Sequence, residues 1–384
     1  MSAVGAVRIQ APHSPARAAA PAAQHARASR EGTAVAPVVI MAGGTGGHIF
    51  PGLAVADELA ARGVPVIWLG ARAGLETRLV PAHGLPLETL AIGGLRGKGV
   101  ATALRAPLRL AGAVLAARRA LARHAPRSAL SLGGYAAAPG GIAARLAGVP
   151  LVVHEQNRVP GLTNRLLARL ARRVLTGFAD ALAGAEWVGN PVRASIAALP
   201  APAVRVAGRE GPLRVLVLGG SQGAASLNTQ VPAVLRARPA RFVVRHQCGR
   251  GGEATRAAYA AAGVDAEIVD FIDDMADAYA WADVAICRAG ALTLAELAAA
   301  GVPALLVPYP HAVDDHQTRN AEALAAAGAA RVVAEGADFA DRLGAALDAV
   351  AERALLLEMA AAARTLARPD AARRIADACL EVAA

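Results

Sequence analysis

The chain has 384 residues, with 40 Lys and Arg against 30 Asp and Glu, and a formal net charge of +10. That length accommodates two domains of ordinary size, each with its own core. The hydrophobic fraction is 55%, yet only 3% of residues are aromatic, a balance of alanine-rich helices and aliphatic strands that points to α/β packing. Apolar runs such as 111–117, bounded by Arg109 and Arg118, fall far short of the roughly 20 residues a membrane span needs. Cys248, Cys287 and Cys379 sit in no metal-binding or disulfide spacing, so a reducing, cytoplasmic setting is expected.

Residues 1–36 mix Ala, Pro and Arg with almost no acid and no hydrophobic periodicity, the composition of a disordered extension. They lack the apolar core of a secretory signal and resemble an organellar transit peptide only weakly. From Val38 a strand, a glycine-rich turn and a helix follow in "VVIMAGGTGGHIFPGLAVADELAARG". Further strands are predicted at 64–69, 129–132, 151–153 and 174–175, separated by helical stretches, as parallel strands with crossover helices require. The pattern restarts in "PLRVLVLGGSQGAASLN" and continues with strands at 242–246, 266–269, 284–287 and 304–307. An α/β chain that begins its winding twice is predicted to form two Rossmann-like domains facing a cleft. Pro191, Pro200, Pro202, Gly208 and Gly211 mark the linker, which gives 37–200 and 201–384 as the two domains.

A turn from a parallel strand into a helix presents unpaired N–H groups and the positive end of the helix dipole, and glycine lets an anion approach them. Neither turn is a dinucleotide fingerprint: a GxGxxG begun at Gly44 would need glycine where Ile49 stands, and Gly219, Gly220 and Gly223 also miss the spacing. No Walker lysine follows either one. The bland alternative is a tight turn with no ligand. His48 stands at the edge of the first turn, where open α/β sheets bind ligands and an imidazole can act as a base near neutral pH.

Six segments in fixed order carry a more specific signal: "GGTGGHIFPGLA", "SLGGYAAAPGGIAA", "HEQNRVPGLTNRLLA", "GNPVR", "GGSQGAASLN" and "RAGALTLAELAAAGVPALLVPYPHAVDDHQTRNA". Over about residues 37–380 the chain resembles the bacterial glycosyltransferase family that adds N-acetylglucosamine to undecaprenyl-pyrophosphoryl-N-acetylmuramoyl-pentapeptide, turning lipid I into lipid II. The resemblance implies the GT-B fold, with UDP-N-acetylglucosamine held by the second domain and the lipid acceptor approached by the first. It implies that Glu296, in the segment Ala291, Leu292, Thr293, Leu294, Ala295, accepts hydrogen bonds from the ribose, and that backbone at Ile272 reads the uracil. Ser221 with neighbouring amides and Arg193 would hold the diphosphate, while Gln317, Asn157 and Thr45, Gly46 and Gly47 would contact donor sugar or diphosphate. His48 is the first candidate to take the proton from the acceptor hydroxyl, with Glu155 as rival base. Displacement would be direct and inverting. No cofactor and no metal is expected, since Asp273 and Asp274 read as a solvated helix-start pair.

Charge supplies a separate indication. No acid lies between Glu88 and Glu155, while Arg96, Lys98, Arg105, Arg109, Arg118, Arg119, Arg123, Arg127 and Arg145 do. Ile92, Leu95, Val100, Leu104 and Leu108 are interleaved with them, a mixture suited to anionic headgroups. With this charge, the family resemblance implies a peripheral position on the cytoplasmic face of the bacterial inner membrane, with anionic lipids and other cell-wall synthesis proteins as partners. Nucleic acid is disfavoured because stacking aromatics are missing. A nicotinamide-dependent oxidoreductase lacks its fingerprint, and a purely surface-binding protein would leave the donor motifs unexplained. A transferase using another sugar nucleotide or acceptor is the remaining alternative.

Overall fold

The computed structural model describes residues 35–93, 100–220 and 222–383. The first sheet comprises β1 (Val38–Ala42), β2 (Val66–Ala71), β3 (Leu87–Leu90), β4 (Ser128–Gly133), β5 (Leu151–Glu155), β6 (Arg173–Thr176) and β7 (Glu186–Trp187), in the order β3-β2-β1-β4-β5-β6-β7. The second comprises β8 (Leu213–Leu218), β9 (Phe242–Gln247), β10 (Ala266–Val269), β11 (Val284–Cys287), β12 (Ala304–Leu306) and β13 (Ala330–Val332), in the order β10-β9-β8-β11-β12-β13. Every pairing is parallel. This is the GT-B architecture of two doubly wound sheets.

Burial explains which strands the sequence revealed. β1, β4, β5 and β11 are buried along their whole length, because helices cover both faces, so they read as continuous apolar runs. β3, β7 and β13 lie at sheet edges, are short and carry half-buried or exposed positions. These three lack that apolar signature and sequence analysis passed over them, whereas the remaining edge strand, β10, was predicted at 266–269 although none of its positions is fully buried.

In each sheet the strand order reverses where the first strand meets its fourth, between β1 and β4 and between β8 and β11. Ligands of open α/β sheets bind outside the strand ends at this point. Both glycine-rich turns leave the sheets there.

The second domain does not simply run from 201 to 384. The last helix, Ala371–Glu381, returns to the first sheet and buries Ile375, Ala376, Ala378 and Cys379 in one core with Val38, Leu59 and Leu130. The Ser128 hydroxyl donates to the Cys379 carbonyl at 2.6 Å, and Arg62 pairs with Asp377 at 2.6 Å. Conversely Ile196, before the predicted boundary, packs in the core of the second domain. An amphipathic pattern says that a helix covers a sheet, but not which sheet.

Candidate functional site

The two switch points face each other across one cleft of 2560 Å³ lined by both domains. On the first wall, β1 ends at Ala42, and the chain turns through Gly43 and Gly44 into the helix Gly46–Ala61. Gly44 has φ +92°, in the left-handed region that favours glycine. Thr45 occupies the N-cap without a capping side-chain bond, so the first amides of the helix are left for solvent or an anion.

Beneath the turn lies a residue that sequence analysis did not single out. Glu76 is fully buried; one carboxylate oxygen accepts from the Ala71 amide at 2.8 Å and the other from the Gly44 amide at 3.1 Å. A Cβ on Gly43 or Gly74 would run into that carboxylate. Part of the glycine pattern therefore makes room for the acid that pins the turn.

His48 is half-buried at the cleft edge, with Nδ1 3.0 Å from Gln156 Oε1. Glu155 also lines the cleft but is only 2% exposed, and its oxygens are fully engaged. One accepts from Asn157 N at 2.9 Å and Nδ2 at 3.3 Å; the other accepts from Gly161 N at 3.1 Å and Asn164 Nδ2 at 3.0 Å. A carboxylate has about four lone-pair sites. All of them are occupied here, which makes Glu155 the anchor of the loop that follows β5.

Asn157 lines the same wall, and its side-chain oxygen accepts from Asn320 Nδ2 at 3.1 Å. Asn320, fully buried in the helix His316–Ala326, also accepts from the Arg158 amide at 2.9 Å. One asparagine thus joins the two domains at the floor of the cleft.

On the second wall, Gly220 is held as Gly44 is, here by Gln247: its side chain accepts from Gly220 N at 2.9 Å and donates to the Gly220 and Asp270 carbonyls, each at 3.0 Å. Ser221 lies outside the described residues. Glu296 sits in the second turn of the helix Ala291–Ala300, whose N-cap, Gly290, makes no side-chain bond. Arg193 donates to one Glu296 oxygen through Nε at 3.1 Å and Nη2 at 2.8 Å. The fully buried Tyr279 donates to the other at 3.1 Å. Burial first, and then the Glu296 charge, push the Tyr279 phenol well above its usual range, so it stays a donor. Glu296 is therefore a built carboxylate and not a freely solvated helix-end acid.

Ala291, Leu292, Thr293 and Ile272 line the cleft. Leu294 does not: it is 1% exposed and belongs to the core of the second domain. Ala295, half-buried on the same helix, and Gln317 are also not among the residues lining the cleft. The Gln317 side chain accepts from Tyr309 N at 2.9 Å and braces a loop whose Asp314 and His316 do line it. Asp274 caps the helix Met275–Trp281 by accepting from Asp277 N at 2.9 Å, as a helix-start acid does. Among the described residues no group of three or more His, Cys, Asp or Glu is placed to hold a metal ion.

The basic surface differs in part from expectation. The side chains of Leu95, Arg96, Lys98, Leu104 and Arg105 lie outside the described residues. Leu108 is 77% exposed on the helix Val100–His124. A second apolar stripe, Leu162, Leu166 and Leu170, emerges just after β5 with Arg165, Arg169 and Arg172 exposed beside it. All three of these leucines reach the cleft mouth.

Comparison with known proteins places this arrangement. Residues 38–176 match the glycosyltransferase family 28 N-terminal domain and residues 214–375 its C-terminal domain. The chain is 60% identical over 363 residues, covering 94% of itself and 84% of the relative, to a UDP-N-acetylglucosamine–N-acetylmuramyl-(pentapeptide) pyrophosphoryl-undecaprenol N-acetylglucosamine transferase of Xanthomonas campestris pv. campestris (strain B100). A protein of the same description from Xylella fastidiosa (strain Temecula1 / ATCC 700964) is 58% identical over 351 residues, covering 90% of this chain and 96% of its own. Among solved structures, MurG of Acinetobacter baumannii superposes with a TM-score of 0.81 at 40% identity, covering 90% of this chain and 99% of that one. The glycosyltransferase of kitacinnamycin, at 19% identity and a TM-score of 0.69, shares the fold.

Proposed function

The chain belongs to the family of UDP-N-acetylglucosamine–N-acetylmuramyl-(pentapeptide) pyrophosphoryl-undecaprenol N-acetylglucosamine transferases, and from that premise we propose how its cleft performs the reaction. The enzyme transfers N-acetylglucosamine from UDP-N-acetylglucosamine to lipid I, forming lipid II. The observation that carries the mechanism is the facing of two pinned, glycine-lined turns, with His48 on one wall and the Arg193–Glu296 pair on the other.

In this reading the donor lies on the second domain. Ribose hydroxyls donate to Glu296, backbone at Ile272 meets the uracil, and Arg193, Ser221 and the amides of the second turn meet the diphosphate. Ala291, Leu292 and Thr293 form the floor, while Leu294 and Ala295 support it from the helix. Gln317 shapes the donor-sugar loop. Thr45, Gly46, Gly47 and Asn157 face the reacting sugars and the acceptor pyrophosphate.

The acceptor C4 oxygen attacks C1 of the donor sugar as the bond to UDP breaks, and UDP leaves with the electron pair. The hydroxyl proton passes to His48. One displacement inverts C1, so an α-linked donor gives a β-linked product. Charge on the departing diphosphate is met by preorganised donors, chiefly Arg193 and turn amides. His48 suits the base role better than Glu155, whose four hydrogen bonds leave no lone pair for a substrate proton.

The enzyme is membrane-associated. Among the described residues no helix is long and apolar enough to cross a membrane. We place it peripherally, on the cytoplasmic face of the inner membrane, where the leucine and arginine stripe at the cleft mouth would meet anionic lipid and the undecaprenyl tail stays in the bilayer.

The test is transfer of radiolabelled sugar to a short-chain lipid I analogue, comparing UDP-N-acetylglucosamine with UDP-glucose and UDP-N-acetylgalactosamine. Preference for the first is expected, and His48→Ala should lower turnover by about 10²- to 10⁴-fold with UDP affinity retained. Equal use of all three donors would favour a transferase of broader specificity. Near-normal turnover in His48→Ala would remove the base assignment.

A further inference from the structure

A base needs a bare nitrogen aimed at the proton it takes, and a neutral imidazole has a hydrogen on one nitrogen only. Which nitrogen of His48 carries it follows from groups whose chemistry leaves no choice. The chain of hydrogen bonds starts at Gly189, whose carbonyl oxygen can only accept. His154 Nε2 lies 2.9 Å from it and must therefore carry a hydrogen. The His154 ring is fully buried, and burial pushes its pKa down to about 4, so it is neutral and its Nδ1 is bare.

Gln156 supplies the next link. Its Nε2 is 3.1 Å from that bare Nδ1 and 2.9 Å from the His154 carbonyl oxygen, two acceptors for the two hydrogens of one amide. Exchanging the nitrogen and oxygen of this amide would set an oxygen against both acceptors. The other end must then be the oxygen, and it faces His48 Nδ1 at 3.0 Å. An amide oxygen accepts, so Nδ1 carries the hydrogen. Nε2, on the far side of the ring from Gln156, keeps its lone pair.

The surroundings hold this arrangement. Gln156 is 1% exposed, and its backbone carbonyl accepts from Asn190 Nδ2 at 3.0 Å. A Cβ on Gly133 would lie 3.2 Å from His48 Cε1, so the ring rests against a bare backbone that leaves it space. Gly189 and Asn190 belong to the segment that leads to Arg193, so the relay starts on the strand exit that also delivers the donor-site arginine.

We infer that Gln156 and the buried His154 are positioning residues that fix the His48 tautomer with Nδ1 protonated and Nε2 bare, ready to receive the acceptor proton. This rests on His48 being the base. Free histidine in water favours the opposite tautomer, so without the relay most of the neutral rings would present a hydrogen where a lone pair is needed. The role resembles that of the outer partners that orient ligating or catalytic histidines in other sites.

The experiment is nitrogen NMR of the full chain labelled with ¹⁵N-histidine, at a pH where His48 is neutral, with its signal assigned by loss in His48→Gln. The wild type should show a protonated Nδ1 and a bare Nε2. Gln156→Leu should move the hydrogen to Nε2 and lower kcat by about 10- to 100-fold, leaving KM for UDP-N-acetylglucosamine and the affinity for UDP near wild type. A wild-type signal with the hydrogen on Nε2 overturns the relay whatever the Gln156→Leu variant does. So does a Gln156→Leu protein that keeps both tautomer and kcat. Failure of the base reading looks different: His48→Ala would remain active while the wild-type tautomer was as inferred.

Discussion

Glu296 illustrates how the fold fixes a single carboxylate, which in the proposed reading meets two ribose hydroxyls. Tyr279 and Arg193 approach it from opposite oxygens, one from the buried interior and the other from a half-exposed segment 103 residues earlier in the chain. The phenol is the fixed partner, because it is fully buried and donates to Glu296 from within the core of the second domain. Tyr279→Phe should therefore loosen the carboxylate without touching the reacting atoms. A hydrogen bond to a charged group contributes about 1.5 to 3 kcal/mol, and with Arg193 still in place we expect the lower end, roughly a tenfold loss of UDP affinity by calorimetric titration. Turnover at saturating donor should stay near wild type. An unchanged affinity would mean that Arg193 alone orients Glu296. Sequence analysis found Glu296 from its motif but could not find Tyr279, which lies 17 residues away on a different helix.

The segment after β5 has two faces that its sequence did not separate. Its first residues, Glu155 to Asn164, are tied inward by the four bonds to the Glu155 carboxylate. Its outward side carries Leu162, Leu166 and Leu170, exposed by 55%, 51% and 40%. Leu162 and Leu166, four apart on the helix Leu162–Leu167, share one side and Leu170 follows in the turn beyond, with Arg165, Arg169 and Arg172 exposed nearby. Basic residues at an anionic surface contribute about 1 kcal/mol each, fading over a Debye length. Changing Arg165, Arg169 and Arg172 together to Glu should then sharply reduce co-sedimentation with vesicles containing phosphatidylglycerol, leave the weak binding to neutral vesicles unaltered and spare UDP affinity. Wild-type binding should weaken as salt rises. Equal sedimentation of the triple variant would make this stripe a solvated face and return the membrane contact to the helix Val100–His124. The acid-free stretch 89–154 drew sequence analysis to that helix; the stripe was missed because its charge begins beyond Glu155.

Each domain of the whole molecule encloses a histidine that folding keeps neutral. Burial pushes His154 in the first domain and His246 in the second down to about 4 from the usual 6.5. His246 is held between Tyr259 and Asn228, at 3.0 and 3.1 Å. With folded values below the unfolded one, the unfolded chain binds more protons as the pH falls below 6.5. Stability from these sites is thus fully present above 6.5 and is lost progressively down to about 4. By pH 5 the linkage amounts to about 2 kcal/mol per histidine. Urea denaturation at pH 7.5, 6 and 5 should show falling midpoints in both domains. His246→Gln, less stable at pH 7.5, should flatten the decline of the second domain alone. An unchanged slope in that variant would assign the acid sensitivity to carboxylates instead.

The twin winding, the two glycine turns and the positions of His48 and Glu296 were legible in the sequence because each depends on neighbours within one strand, turn and helix. Buried parallel strands announce themselves as apolar runs, and the motif segments preserve their order along the chain. Other features depend on contacts between distant residues. His48 meets Gln156 across 108 positions, Arg193 meets Glu296 across 103, and Ser128 meets Cys379 across 251. No local periodicity encodes such pairs. Tertiary structure alone decided that the last helix completes the first domain, that Leu294 faces the core and that Glu155 has no free lone pair. It also decided which nitrogen of His48 is bare, since the hydrogen follows from acceptors that only the fold brings within reach.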